Sequence, residues 1–452
     1  MKFQNIFILV GSYFFYAWAD WRFLFFLIGV SALNYFLGIY IEKSENQKVK
    51  KTLVYLGLIQ GIGGLIYFKY FNFFISSIND FFGMFHSYFS IQTLNIIIPL
   101  GISFFTFRTL SYILDIEKGK IKATTDWIVF FNYVAFFPSL LSGPIDKART
   151  FIPQLEKSRS FDFDSASDGL KQILWGLFKK LVIANNCATI VNPIFNNYQN
   201  LPSSSLWIGM VLYSVQVYAD FSGYSDMAIG VSKLLGFQVS KNFDFPFFAQ
   251  SIPEYWRKWH ISLTSWLTEY VFTPLSIQFR DYDKLGLIIA IVINFVICGI
   301  WHGANWTYVL FGLFHGLFFI PSILNGTMNK KKKIIKASIF STLKQLFNIL
   351  GTLIPVMFTF VLFKSDTVSK AFGYYGKMFT KSLFSVPTAL PFYIVLMVIF
   401  FFAIEWFGKN NDYAIKRIFS YSILVRSMFY FFLITAIFIF SAKEQQFIYF
   451  QF

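Results

Sequence analysis

Residues 285–300 read LGLIIAIVINFVICGI, a run without a charged residue, and comparable apolar runs recur along the whole chain. A helix of about 20 residues crosses the roughly 30 Å of bilayer hydrocarbon. Inside lipid every backbone N–H and C=O needs a partner within its own segment, so runs of this kind are constrained to be helical. Hydropathy divides the sequence into segments near 3–19, 22–41, 52–78, 93–114, 127–142, 169–197, 204–236 (interrupted), 284–299, 303–325, 336–363, 388–407 and 425–441. The expected fold class is all-α, a polytopic transmembrane helical bundle forming one integral-membrane domain over residues 1–452. A composition that is 56% hydrophobic and only 14% charged could not cover a soluble surface.

Lys and Arg outnumber Asp and Glu by 39 to 23, a formal net charge of +16. In a soluble chain that excess would point to nucleic acid. Here the cations lie between apolar segments, the pattern of cytoplasmic loops that also attract anionic membrane lipids, and no nucleic-acid partner is expected. Lys43, Lys48, Lys50 and Lys51 follow the second segment, and Lys118, Lys120 and Lys122 follow the fourth. Both loops, and by counting back the N-terminus, belong in the cytoplasm; the run Lys330 to Lys333 marks a third such loop. The first apolar segment lacks a small-residue cleavage site, so it does not read as a removable signal peptide. Cys187 and Cys298 stand alone in or beside apolar sequence, which supports neither a disulfide framework nor a thiolate metal site. No close-spaced ligand pair suggests a metal either.

Ionisable residues within apolar sequence are costly and therefore candidates for function. In YADFSGYSDMAIG, residues 218–230, Asp220 and Asp226 flank a polar, glycine-containing stretch. That composition predicts a helix break; the carboxylates either bond backbone amides, pair with a buried Arg, or take part in chemistry. The segment 243–283 is aromatic yet dotted with charge. Ser251 to Glu254 reads as a helix start, with Pro253 early. A helix over 254–270 would gather Trp256, Trp259, His260, Leu263 and Leu267 on one face, leaving Arg257, Lys258, Ser265 and Glu269 elsewhere. Such a helix suits an interfacial or re-entrant position. Arg257 and Lys258 beside Trp256 and Trp259 could hold the phosphates and pantetheine arm of an acyl thioester, or anchor the helix at the interface. His302, in WHGANW between two apolar runs, is on residue type alone either a packed core residue or a chemical centre. His315 and His86 read as structural.

Taken together, YADFSGYSDMAIGVSKLLGF, NFDFPFFAQSIPEYWRKWHISLTSWLTEYVFTPL, NFVICGIWHGANWTYVLFGLFHGL and the terminal FIYFQF resemble the membrane-bound O-acyltransferases. Within that family they are similar to the bacterial alginate O-acetylation branch and the related peptidoglycan and teichoic acid acylation proteins. SYFFYAWADWRFL and FPSLLSGPIDKARTFIPQL extend the likeness over nearly the whole chain, with the core motifs at about 99–363. The resemblance implies interfacial or re-entrant helices around a central tunnel. It implies that His302 is catalytic and His260 the second functional histidine. Trp256, Arg257, Lys258, Trp259, Trp301 and Asn305 would contribute to the donor site, and Asp220 and Asp226 would give structural support. It also leads one to expect a further apolar segment ahead of the motif that begins at residue 5.

The activity implied is transfer of an acyl group, acetyl in the first instance, from cytoplasmic acetyl-CoA or another acyl thioester across a bacterial inner membrane to a polysaccharide acceptor. No bound cofactor is expected, and an extracytoplasmic acetyltransferase would be a partner. D-alanyl transfer to teichoic acid is the alternative within the family; a transporter or flippase without acyl chemistry is the alternative outside it.

Overall fold

The computed structural model describes residues 1–85, 90–328, 339–388, 392–443 and 445–448. His86, the basic run 330–333 and the last four residues of FIYFQF lie outside them. Two compact units are formed, Met1–Ala166 with Ser232–Ser240, and Ser167–Val231 with Lys241–Phe452. Among the described residues every regular element is a helix.

In the first unit, α1 (Lys2–Lys43) carries the first two apolar segments and bends where they meet, at Asp20, whose backbone is non-helical and whose carboxylate takes the Arg22 guanidinium at 2.6 Å. A π-helical turn at Ile66–Tyr70 joins α2 (Gln47–Leu65) to α3 (Phe71–Gly83). The segment expected at 93–114 is helical only from Ile102, in α4 (Ile102–Glu117). The chain before it takes its backbone partners from α3 instead. Asn79 accepts the Ile91 N–H at 2.9 Å and donates to the Ile91 carbonyl at 2.8 Å, and Asn72 does the same for Leu94 at 2.9 and 2.8 Å. These side-chain amides supply what a helix would otherwise have supplied. Apolar sequence at 127–142 also divides, into α5 (Trp127–Ala135) and α6 (Phe137–Leu140), because Pro138 opens a new helix rather than continuing the old one. The buried Arg108 of α4 gathers both around it, donating to the carbonyls of Tyr133, Val134, Ser139 and Pro144. Then comes α7 (Ala148–Leu155).

The second unit is built on α8 (Phe163–Leu177), which passes through a π-helical stretch, Phe178–Ala184, into α9 (Asn185–Asn196). The break expected within 218–230 does not occur: α10 runs unbroken from Ser203 to Leu234. Gly223 lets α8 come close instead, since a Cβ there would meet the Gly176 carbonyl at 2.8 Å, and one on Gly230 would meet the Gly169 carbonyl at 2.5 Å. Three short helices follow, α11 (Ile252–Lys258), α12 (Ile261–Leu267) and α13 (Thr273–Gln278). They lead to α14 (Asp283–His302), α15 (Trp306–Phe318), α16 (Ile320–Leu324), α17 (Ile339–Lys364), α18 (Val368–Met378), α19 (Phe392–Gly408) and α20 (Ile423–Phe440).

Six helical stretches among the described residues are long and apolar enough to cross a bilayer: Lys2–Lys43, Gln47–Gly83, Arg280–His302, Trp306–Leu324, Thr342–Lys364 and Ile423–Phe440. The chain is a multi-pass membrane protein. Large apolar side chains such as Phe3, Phe7 and Phe438 stand exposed on the protein, as lipid-facing residues do.

Candidate functional site

Both histidines singled out in the sequence lie in the second unit, and one indole connects them. Trp301 meets His260 at a ring-centroid distance of 5.6 Å and its neighbour His302 at 5.0 Å, both edge to face. All three side chains are buried. The site is thus inside the protein, walled by aromatic rings: Phe221 lies 4.6 Å from His260, and Phe363 and Phe311 lie 5.1 and 5.8 Å from His302.

His302 ends α14. The close approach of α15 fixes its position, because glycines carry that contact. A Cβ on Gly299 would clash with the Tyr308 carbonyl, one on Gly312 with the Phe295 carbonyl, and one on Gly303 with the Tyr308 ring. Helix backbones pack this tightly only where side chains are absent. Asn305 caps α15 by accepting the Thr307 N–H at 3.0 Å, and it donates to the Asp366 carbonyl at 2.6 Å, tying the turn after His302 to the end of α17.

His260 sits at a break the sequence does not announce. The single helix expected over 254–270 is interrupted at Trp259, which is extended, and at His260, whose φ of 44° and ψ of 53° put it in the left-handed region. Few non-glycine residues adopt that conformation, at a cost of about 1–3 kcal/mol that the surroundings must offset. Asn242 provides the restraint. Its carbonyl accepts the Ile261 N–H at 2.9 Å, its Oδ1 accepts the Ser262 hydroxyl at 2.6 Å, and its Nδ2 donates to Ser225 Oγ at 3.2 Å. Burial still follows the expected pattern: Trp256, Trp259, His260, Leu263 and Leu267 are buried while Arg257 and Ser265 are exposed. Outside the six spanning stretches, burial pushes the His260 imidazole down to about 3 from its ordinary 6.5. It is a neutral ring at physiological pH.

The remaining sequence candidates separate. Trp259 stacks on Tyr255 at 5.5 Å and meets Phe243 at 5.1 Å. Trp256 donates its indole N–H to His315 Nδ1 at 3.1 Å, and Thr359 Oγ1 lies 2.9 Å from His315 Nε2, so His315 is a bonded core residue. Arg257 donates to the Met328 carbonyl at 3.1 Å, near the far end of the α15–α16 stretch from Asn305, and Lys258 pairs with Glu254 at 3.1 Å. Asp220 and Asp226 bond lysines rather than an arginine. Lys180 Nζ lies 2.6 Å from Asp220 Oδ1, and Lys179 Nζ bonds Asp226, which also accepts from Gln172 at 2.7 Å. The second Asp220 oxygen accepts the Ile448 N–H at 2.9 Å, so this carboxylate also holds the C-terminal segment. Phe447 stacks on Tyr224 at 4.9 Å and lies 6.3 Å from Phe221, the ring against His260.

Sequence reasoning missed Asn242, Lys179, Lys180 and Glu405, the last accepting from Tyr218 at 2.6 Å. The lysines and Glu405 carried a signal, as ionisable residues inside apolar segments 169–197 and 388–407. Asn242 carried none, since its role depends on residues brought to it by the fold.

The family model for the membrane-bound O-acyltransferase family matches residues 122–361. Over 385 residues the chain is 34% identical to the probable alginate O-acetylase of Pseudomonas aeruginosa, covering 84% of this chain and 70% of that protein. It is 32% identical to the peptidoglycan O-acetyltransferase of Helicobacter pylori, covering 70% and 63%. It is also 32% identical to the teichoic acid D-alanyltransferase of Streptococcus thermophilus, covering 52% and 59%.

Proposed function

We propose a function that starts from one fact: the chain belongs to the membrane-bound O-acyltransferase family. It is therefore an O-acyltransferase, and the transporter reading left open by the sequence falls away. We infer that its acyl group is acetyl, that cytoplasmic acetyl-CoA is the donor, and that an extracytoplasmic polysaccharide is the acceptor, in a bacterial inner membrane. An extracytoplasmic acetyltransferase would act beside it.

In this reading His302 is the base. A hydroxyl attacks a thioester poorly until its proton is removed, and neutral imidazole suits that task. The acceptor oxygen bonds to the acyl carbon as its proton passes to His302; the C–S bond then breaks and the thiolate leaves with that proton. The contact of Trp301 with both imidazoles is the single observation that carries the assignment: it supports reading the two buried histidines as one aromatic site, in which a hydrolysable acyl donor would be protected from water. His260, with Trp256 and Trp259, would shape that site. Arg257 and Lys258, exposed or half-exposed and near the Met328 end, fit contact with donor phosphates. Asp220 and Asp226, bonded to lysines, fit support rather than chemistry.

The test is the base-releasable acetyl content of the host's surface polysaccharides in wild type, a deletion strain and His302→Ala, with membrane abundance checked by blotting. Loss of ester in both mutants at normal abundance is expected. Unchanged acetyl ester with lost D-alanine ester would move the assignment to teichoic acid.

A further inference from the structure

A cavity of about 930 Å³ opens in the first unit, and every residue that lines it belongs to that unit. Three chain segments meet there: the first two turns of α1, the stretch linking α7 to α8, and the residues at and just after the end of α10. Two glutamines clamp them together. Gln4 donates to the Arg159 carbonyl at 2.7 Å and accepts the Arg159 N–H at 3.1 Å, and Gln154 does the same for Gln238 at 2.9 and 2.8 Å. Gly236, in the left-handed region at φ 77°, lets the arginine stem lie against it, since a Cβ there would meet Arg159 Cβ at 3.3 Å. The Phe237 ring lies 4.5 Å from the guanidinium carbon. The cavity is thus preformed around one cation.

That cation lacks a counter-charge. Arg159 is half-buried, and its guanidinium donates to Asn5 Oδ1 at 2.7 Å and to the carbonyls of Gln154 and Lys157 at 3.3 and 3.4 Å, all of them neutral. Among the described residues no carboxylate lies within ion-pair distance of Arg159 or Lys157. Burial lowers the Arg159 pKa, with no neighbouring charge opposing the shift. Lys157 and Lys233 add positive charge to the lining against one carboxylate, Asp162, which is engaged in accepting the Asp164 N–H at 3.0 Å. A partly desolvated guanidinium with spare donors and neutral partners favours a phosphate-type anion.

The other wall is apolar. Phe3 and Phe7, one turn apart on α1, and Phe161 line the cavity at 88%, 77% and 77% exposure. A ligand suited to both walls has an anionic head and a hydrocarbon body. Sidedness agrees. The short helix α5 touches Tyr35 through Phe130 at 5.9 Å and donates from Asn132 to the Asn5 carbonyl at 2.9 Å, so the first turn of α1 returns to the end of the unit that carries the basic loops after Lys43 and Lys118. Those loops read as cytoplasmic.

We propose that this cavity binds one anionic phospholipid of the cytoplasmic leaflet, its phosphate on Arg159 and Lys157 and its acyl chains along Phe3 and Phe7. Bound there, the lipid ties α1 to the α7–α8 link and to the end of α10. The site goes beyond the acyl-transfer reading and does not depend on it. It also differs from the diffuse attraction of basic loops to acidic membranes, in which any cation of that face would serve.

The test uses the purified full chain, delipidated in detergent and then given phosphatidylglycerol or phosphatidylethanolamine with the same acyl chains, read by native mass spectrometry and thermal unfolding. One phosphatidylglycerol is retained, about tenfold more tightly than phosphatidylethanolamine, and it raises the melting temperature. Arg159→Gln weakens retention about tenfold or more. Should Arg159→Gln fail to fold, Lys157→Glu, exposed at the rim, is expected to weaken retention about fivefold or more with the lipid-free melting temperature unchanged, while Lys157→Arg keeps it. Lys48→Glu, the same charge change on the exposed start of α2, leaves retention within about twofold of wild type. Equal retention of the two lipids, full retention in Arg159→Gln or Lys157→Glu, or an equal loss in Lys48→Glu overturns the proposal. So does displacement of the lipid by an equal concentration of glycerophosphoglycerol, the headgroup without chains, which would make the cavity a site for soluble phosphate esters.

Discussion

Asn242 grips His260 from both its backbone and its side chain, accepting the Ile261 N–H at 2.9 Å and the Ser262 hydroxyl at 2.6 Å. The left-handed turn at His260 exists because these bonds replace those of a continuous helix. Asn242→Ala removes the side-chain acceptor and the bond to Ser225 in a fully buried position, at a cost of about 1–3 kcal/mol. Acetyl transfer is expected to fall about tenfold through the misplaced imidazole. Asn242→Asp, which keeps the acceptor, should be milder. Wild-type ester content and melting temperature in Asn242→Ala would show that the clamp does not position His260.

Trp301 touches both imidazoles, so its substitution separates chemistry from architecture. With His302 as the proposed base, His302→Ala should lower transfer about 10²–10⁴-fold with near-normal folding. Trp301→Phe keeps a ring and should retain most activity. Trp301→Ala opens a cavity costing about 3–5 kcal/mol and should lower both abundance and activity. Equal rates for His302→Ala and wild type, measured per folded protein, would remove His302 from the chemistry.

Much of the candidate site was legible because its residues sit in short local motifs. WHGANW shows a histidine beside a glycine, and Gly303 is there because the Tyr308 ring occupies the space of its Cβ. The spacing of apolar residues over 254–270 likewise anticipated which side chains are buried. What local pattern could not show was the competition from elsewhere in the chain. Nothing in EYWRKWHISL stops a helix; Asn242, far upstream, does. Gly223 among polar residues read as a break, yet its meaning is the backbone of Gly176 on another helix. The apolar chain before α4 passed for helix from residue 93 because the asparagines that bond Leu94 and, just upstream, Ile91 belong to α3.

Acid should destabilise the protein through His260. Its folded pKa is about 3, against roughly 6.5 when unfolded, so between these values the unfolded chain binds more protons. Its contribution to stability is complete above pH 6.5 and is lost as pH falls towards 3, amounting to about 2 kcal/mol at pH 5. Thermal unfolding of wild type and His260→Phe in the same detergent at pH 7.5 and pH 5 checks this. Wild type should lose more melting temperature than the variant; equal losses would mean that His260 is protonated in the folded state.

Glycine should matter in α14 far more than in α17. Gly299→Ala drives a methyl group into the Tyr308 carbonyl and pushes α15 away from the helix that ends in His302. Gly351→Ala meets nothing within 4 Å, and there alanine is expected to be neutral or stabilising by about 0.5–1 kcal/mol. Membrane abundance and melting temperature should drop sharply for the first and hold for the second. A well-folded, active Gly299→Ala would contradict the packing described.

Lys180 and Asp220 couple the membrane interior to the C-terminal segment. Asp220→Asn leaves the Lys180 ammonium without its carboxylate in a nearly buried site, which costs about 3–5 kcal/mol. A buried pair replaced as a whole by apolar residues is often tolerated, so Lys180→Met with Asp220→Leu should recover much of the folded protein. The double variant still lacks the oxygen that accepts the Ile448 N–H and the ammonium 5.5 Å from the Phe447 ring. Its C-terminal segment should therefore be cleaved faster by protease than that of wild type, although the rest of the chain is stable. Because Phe447 reaches Phe221, and Phe221 reaches His260, the same variant should also transfer acetyl more slowly. Unchanged protease sensitivity and an unchanged rate in a stable double variant would show that Asp220 serves the ion pair alone.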